Sequence, residues 1–342
     1  MFYNGNKLLN MLDLNKQKPE IYICTSNRSA GKTTFFAKYL VERFLKYKEK
    51  FCLLYRFNYE LSDVAEKFYK DIHNLFFPYM DMSAKCRAKG TYYELFLEDE
   101  PCGYAVALNN ADLLKKYSHL FSDVSHMFFD EFQSETNHYA SNEINKFISI
   151  HTSFARGNGQ MARYLPVYLC SNTVSLINPY YSELGIADRL RADTKFLRGD
   201  GFVLENSFNT SASSAQVNSA FNRAFAKHQY LAYSTQNVYL NDNIAFIEQP
   251  NGKNQYICTL RFCGKDYSIS EFPDLGIIYC GNRPDSSCKI KLAVTTDDHR
   301  VNYVLIRQNA MLLDRLRFYF ERGCFRFKNL QCKEAILHAL TY

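Results

Sequence analysis

The stretch from Ile21 to Thr34 (IYICTSNRSAGKTT) constrains this chain more than any other. Ile21 to Thr25 is apolar and partly β-branched, which reads as a strand. Ser26 to Lys32 is small and polar, which reads as a loop. From Thr33 to about Lys46, the residues Phe36, Tyr39, Leu40, Phe44 and Leu45 recur at helical spacing. Strand, small-residue loop and helix, with Gly31-Lys32-Thr33 at the junction, make a phosphate-binding loop. Its backbone amides and the positive end of the following helix surround an anion. The nucleotide-holding residues are then Asn27, Arg28, Ser29, Ala30, Gly31, Lys32, Thr33 and Thr34. Lys32 reaches the β- and γ-phosphates, and the Thr33 hydroxyl ligates Mg²⁺. The first glycine of the usual pattern is missing, since Ser26 stands there. Arg28 projects a fixed charge, toward phosphate or toward a neighbouring subunit.

The residues that follow keep a βα rhythm, the signature of a mostly parallel sheet in an α/β fold. Phe51–Phe57 reads as a second strand and Tyr59 to about His73 as a helix. Tyr92–Leu97 and Tyr104–Leu108 flank a turn-rich stretch and read as a hairpin insertion. Met127-Phe128-Phe129-Asp130-Glu131-Phe132 is an apolar strand ending in two carboxylates. A phosphate loop needs this pair across its sheet: Asp130 for the Mg²⁺ shell, Glu131 to orient or deprotonate the attacking water. Ser141 to about Ala155 reads as a helix capped by Ser141 or Asn142, with Glu143 in its first turn. The next strand, Pro166–Cys170, runs into Asn172, read as a sensor of the γ-phosphate or the water. A polar strand cap is the other reading. A ring ATPase also takes an arginine in trans to stabilise transition-state charge. Arg156, in a turn, and Arg163 are the candidates, and each also reads as a plain surface arginine. Arg56, closing the second strand, reads as a coupling residue pointing into the site.

Composition narrows the setting. A chain of 342 residues with 47% hydrophobic and 22% charged side chains can bury a sizeable core, and its net charge of +6 allows an anionic partner without demanding one. No stretch is apolar for long enough to cross a membrane as a helix. Eleven scattered cysteines behind a polar start are expected as thiols in a reducing cytoplasm. No CxxC occurs, and His119 and His126 read as surface or packing residues rather than metal ligands.

Four segments together resemble the DNA packaging ATPase of small, short-tailed bacteriophages with protein-primed linear genomes. They are Asn27–Thr33, Leu54-Tyr55-Arg56, Phe128–Phe132 and Leu169–Tyr180 (LCSNTVSLINPY). The likeness runs the full length and is strongest from about residue 20 to 185. It implies a terminase-like ring, pentameric in that family, that pumps double-stranded DNA through the portal of a procapsid with ATP and Mg²⁺. Lys32, Glu131, Arg156 and Asn172 would be catalytic, with Thr33 and Asp130 on the metal. Lys115 or Lys116 would act across the subunit interface, as would Arg156 or Arg163. Further implied partners are a packaging RNA and the genome terminal protein, in the host cytoplasm and transiently at the portal vertex.

The domain expectation is a P-loop ATPase domain of the additional-strand, catalytic-glutamate type over 1–185, a linker or lid over 186–236, and a β-rich domain over 237–342. The middle region is rich in Ser, Asn and Ala, with a loop at 206–214 and a helix over 215–228. The last region has short strands and two helices, about Ala310–Glu321 and Lys333–Leu340. The resemblance implies an RNase H-like fold there without nuclease activity. Asp266, Glu271, Asp274, Asp297 and Asp298 show no clear metal pattern, and Arg315, Arg317, Arg322, Arg326 and Lys328 suit portal, capsid or RNA contact. Two competing functions stand beside the motor: a terminase with an active two-metal nuclease, and a non-catalytic nucleic-acid-binding protein.

Overall fold

The computed structural model describes residues 3–136, 138–157, 161–176, 178–187, 189–190, 194–225 and 246–340. They fall into two compact units, Met1–Asn241 and Asp242–Tyr342.

The first unit is a nine-stranded sheet in the order β3-β4-β5-β2-β6-β7-β1-β9-β8. Its strands are β1 (Ile21–Ser26), β2 (Lys50–Tyr55), β3 (Met82–Arg87), β4 (Tyr92–Leu97), β5 (Glu100–Ala107), β6 (Val124–Asp130), β7 (Val167–Asn172), β8 (Phe196–Arg198) and β9 (Phe202–Asn206). The run from β5 to β9 is parallel throughout, and β3, β4 and β8 join antiparallel at the two edges. The central strands are apolar on both faces because both faces are covered. Ile23, Leu54, Phe129, Leu169 and Leu204 enter one core. Their neighbours Cys24, Leu53, Phe128, Cys170 and Val203 enter the other.

The helices of this unit are α1 (Asn6–Leu9), α2 (Lys32–Tyr47), α3 (Val64–Phe76), α4 (Ala111–Leu114), α5 (Glu143–Phe154), α6 (Pro179–Glu183), α7 (Thr210–Val217) and α8 (Ala220–Ala224). In α2, Phe36, Leu40 and Phe44 of the expected face are buried, joined by Val41, while Tyr39 is partly buried and Leu45 is exposed. α3 starts later than expected: a 3₁₀ turn covers Asn58–Leu61, and Asp63 turns left-handed (φ 54°) before the helix begins. Asn142 occupies the N-cap position of α5, but in a left-handed conformation (φ 52°) and without a side-chain cap bond.

Two expectations are corrected. The hairpin at 92–107 is not an insertion. Its second strand, β5, pairs in parallel with β2 inside the sheet. A Cβ on Gly103 would lie 2.1 Å from the Phe51 carbonyl oxygen, so this glycine permits close strand approach rather than marking a turn. The sheet also does not end at 185. β9 pairs with β1 from Ile21↔Phe202 to Thr25↔Asn206, inside the stretch expected to be linker. α7 then begins within the expected loop at 206–214, and the helix expected over 215–228 is broken near Ser219. The part of that expected helix beyond Phe225 lies outside the described residues.

The second unit is a six-stranded sheet ordered β14-β13-β10-β11-β12-β15. β10 (Gln255–Phe262), β11 (Lys265–Phe272) and β12 (Ile277–Gly281) form an antiparallel meander. β13 (Lys291–Ala293) and β14 (Val304–Leu305) continue in parallel beside β10, and β15 (Phe325–Phe327) lies parallel to β12. Leu313 and Leu316 of α9 (Ala310–Glu321) and Cys332, Ala335 and Ile336 of α10 (Leu330–Leu340) close its core. This is an RNase H-like fold. Among the described residues, no helix is long and apolar enough to cross a membrane.

Candidate nucleotide site

β7 stands between β1 and β6, so one additional strand separates the phosphate loop from the carboxylates. The register sets Ser26 beside Asn172 and Asp130 beside Cys170. The three strands therefore deliver Lys32, Asn172 and the acidic pair to one end of the sheet, where ligands bind in open α/β folds. A cavity of about 310 Å³ opens there, lined by residues 28–34, Asp130, Glu131, Ser171, Asn172 and Asp71 of α3.

The loop has the backbone that its residues permit. Gly31 takes φ 93°, a conformation natural only to glycine, and Ser29 takes φ 59°. Lys32 is nearly buried. Its Nζ donates to Ser26 Oγ at 2.8 Å, to the Asn27 carbonyl at 3.2 Å and to Asn172 Oδ1 at 3.4 Å. Ser26, the departure from the glycine pattern, is thus the nearest partner of the lysine. Burial pushes the Lys32 pKa down, against the pull of the thiols Cys24 and Cys170 and of Asp130 and Glu131.

Asp130 is pushed up to about 6, first by burial and then by Glu131, with the Thr33 hydroxyl and Lys32 acting in the opposite direction. The sign follows from linkage. In the unfolded chain the carboxyl ionises near its ordinary 3.8, so between 3.8 and about 6 the folded protein holds the extra proton, and stability falls as pH rises through that window. Above it the cost is about 3 kcal/mol at the usual conversion. Asp130→Asn should therefore be more stable than wild type by up to about 3 kcal/mol at pH 8, the gap shrinking toward zero at pH 4. Urea titrations with a metal chelator present test this. A gap that does not change with pH refutes it.

Glu131 sits left-handed at φ 55°, with its N–H donating to Asp130 Oδ1 at 3.1 Å. Strain of this kind in a non-glycine residue persists where surrounding contacts impose it. Here they come from Arg56, which with Thr33, Asp130 and Glu131 lines an adjoining cavity of about 390 Å³. Its Nη2 donates to the Phe132 carbonyl at 2.7 Å, its Nη1 to the Glu131 carbonyl at 3.4 Å, and its Nε is paired with Glu143 at 2.9 Å. Glu143 is in turn held by Tyr180 Oη and the Ala140 N–H. Gln133 ties the same segment to the loop after β7, its Oε1 accepting from the Val174 and Ser175 N–H groups. Glu143, Gln133 and Asp71 escaped the sequence reading. Glu143 read as an ordinary first-turn acid, and nothing in its spacing marked it as buried.

The candidates for action in trans separate. Lys115 and Arg156 line a second notch, about 370 Å³, with Ser118, Ser149, Thr152 and Ser153. Lys116 is exposed but does not line it. Arg163 is partly buried. Its Nη2 donates to the Phe154 carbonyl at 2.8 Å, and burial lowers its pKa.

In the second unit three of the five candidate acids are engaged by their own neighbours, while Asp274 and Asp297 are exposed. Asp266 binds Arg261 and Tyr303, Glu271 binds Arg315 and Tyr319, and Asp298 accepts from the N–H groups of Cys263 and Gly264. Among the described residues, no group of three or more His, Cys, Asp or Glu side chains could hold a metal. The basic positions are largely taken as well. Arg317 pairs with Asp314, Arg326 with Glu248 and Lys328 with Gln249, while Arg322 covers Phe318.

A nearly buried lysine, a hydroxyl and a carboxylate as hard oxygen donors, and a left-handed small-residue loop suit a nucleoside triphosphate with Mg²⁺. The first unit is a P-loop ATPase fold of the additional-strand type, and the second unit is RNase H-like. The model of the Podovirus DNA encapsidation protein (Gp16) family matches residues 1–341, and the chain belongs to that family of phage DNA-packaging proteins. It is 25% identical to the DNA packaging protein of Bacillus phage phi29 over 333 residues, covering 96% of this chain and 94% of the relative. With the corresponding protein of Bacillus phage B103 it shares 24% over 309 residues, covering 88% and 90%. Its fold matches a chain of the bacteriophage Phi-29 viral genome packaging motor assembly with a TM-score of 0.72 at 22% identity, covering 99% and 98% of the two chains.

Proposed function

We propose that this chain hydrolyses ATP as the subunit of a ring motor that drives double-stranded DNA into a procapsid. The observation that carries the reading is the convergence of Lys32, Thr33, Asp130, Glu131 and Asn172 on one cavity. Residues 28–34 would hold the triphosphate, with Lys32 leaving Ser26 for the phosphates. Thr33 and Asp130 would hold Mg²⁺, which when bound neutralises phosphate charge. Glu131 would take the proton of the attacking water, and Asn172, already within reach of Lys32, would sense the γ-phosphate. Arg156 and Lys115, on their own notch, would serve the site of the next subunit. The descriptions of the relatives, a DNA packaging protein and a chain of a genome packaging motor assembly, support a packaging motor. The proposal completes it as a homo-oligomeric ring, a pentamer, docked on the portal vertex in the host cytoplasm, with packaging RNA and the terminal protein as further partners. The paired acids of the second unit favour a nuclease-like fold without cleavage over an active terminase nuclease.

The test is DNA-stimulated ATP hydrolysis by the full chain, wild type beside Lys32→Ala. Wild type should turn over and respond to DNA, and Lys32→Ala should fall at least a hundredfold, as loss of a positioned phosphate ligand implies. Indistinguishable rates in the two proteins would end the motor assignment.

A further inference from the structure

Asn27 lies in the phosphate loop and its side chain is buried, yet it does not line the nucleotide cavity. It faces the other way. Asn27 Oδ1 accepts from the Asn209 N–H at 2.8 Å, and Asn27 Nδ2 donates to the Asn209 carbonyl at 3.1 Å. One side chain thus grips both backbone groups of a residue far away in sequence. Asn209 is the N-cap of α7, its Oδ1 accepting from the Ala212 N–H at 3.0 Å. A second tie joins the same two elements: Gln216, near the end of α7, donates to Ser29 Oγ at 2.9 Å. Upstream, the Ser207 N–H donates to the Thr25 carbonyl at 2.8 Å, continuing the β1–β9 pairing to the edge of the loop.

Among the described residues, α7 has little else to hold it. It is eight residues long, none of them buried. A short helix without an apolar face is marginal by itself, because nucleation is costly and burial supplies most helical stability. Its order therefore depends on its cap and on the phosphate loop. The loop, in turn, carries two left-handed residues, Ser29 and Gly31, and its outer side bonds to Asn209 and Gln216.

We propose that Asn27 is a positioning residue that couples the phosphate loop to α7: ligand binding to the loop and ordering of α7 are one event. This rests on the reading of the loop as a nucleotide site and deepens it. Asn27 makes no phosphate contact through its side chain. It transmits the state of the loop to the segment from which the chain runs on toward the second unit. By linkage, whatever stabilises the loop stabilises α7 by the same factor, and anything that holds α7 tightens nucleotide binding.

Hydrogen exchange on the full chain, with and without ADP and Mg²⁺, tests this. With ADP at about ten times its Kd, amides of residues 29–34 and of residues 213–217 should both exchange about tenfold more slowly in wild type, the factor set by linkage. In Asn27→Ala the loop amides should still respond, while those of α7 should not. In Gln216→Ala, which spares the Asn27 grip, the α7 response should shrink but persist. Ser219→Ala, which uncaps α8 and touches no loop residue, should leave it whole. A wild-type α7 that ignores ADP while the loop responds overturns the inference, as does a full α7 response in Asn27→Ala. A loop that itself ignores ADP in wild type refutes the nucleotide-site reading instead, so the two failures are distinguishable.

Discussion

Glu131→Gln should bind ATP as wild type does, within about twofold, and hydrolyse it at least a hundredfold more slowly, the range for loss of a positioned general base. The geometry explains why the two effects part. The residue is held by its backbone: its N–H donates to Asp130, and its carbonyl and that of Phe132 accept from Arg56. None of these contacts uses the Glu131 carboxylate, so the amide keeps its place at φ 55°. What changes is the capacity to take a proton from water. Lys32 and the loop amides are untouched, so ground-state binding persists. Single-turnover hydrolysis beside equilibrium binding of ATP and Mg²⁺ measures both quantities. A rate within tenfold of wild type would remove Glu131 from the base role. Lost ATP binding would mean the carboxylate shapes the site rather than the reaction.

Much of this site was legible because its parts are local. A strand, a loop and a helix in one stretch announce a phosphate loop, since the anion is bound by the backbone of that stretch. Asp130-Glu131 and Asn172 end apolar runs, and the ends of parallel strands meet at one edge of the sheet. What the sequence left dark is long-range. β9 is five residues amid Ser and Asn, and only its pairing with β1 makes it a sheet strand. β5 was disguised by Pro101 and Gly103, which signal turns locally, whereas Gly103 here serves a close strand contact.

The roles of single polar residues were the least legible. Arg56 and Arg163 both read as free for chemistry, and both donate to backbone carbonyls, Arg56 also pairing with Glu143. Arg156 has the same composition-level signature as Arg163 but stands exposed beside Lys115. A side chain's charge is readable from sequence, while its partner is a tertiary fact. Ser26 makes the point from the other side. As a missing glycine it weakened the motif, yet its hydroxyl is the closest partner of Lys32.

Arg56→Met should cost the first unit about 3–5 kcal/mol, because it strands the buried Glu143 carboxylate without a counter-charge. For a unit of this size that corresponds to a fall in Tm of about 10 °C. Methionine preserves the packing of the side-chain stem but neither neutralises Glu143 nor donates to the carbonyls of Glu131 and Phe132. The double variant Arg56→Met/Glu143→Gln removes the stranded charge. Its amide oxygen can still accept from Tyr180 Oη or the Ala140 N–H, so about half of the lost stability should return. ATP turnover should not return with it. The Glu131 and Phe132 carbonyls still lack their donor, and displacement of a reacting group by about 1 Å can cost about a hundredfold in rate. Urea titration and ATP hydrolysis on wild type, the single variant and the double variant separate the two effects. If hydrolysis recovers in step with stability, Arg56 serves folding alone. If stability recovers and hydrolysis stays more than tenfold down, Arg56 holds Glu131 in the conformation the reaction requires.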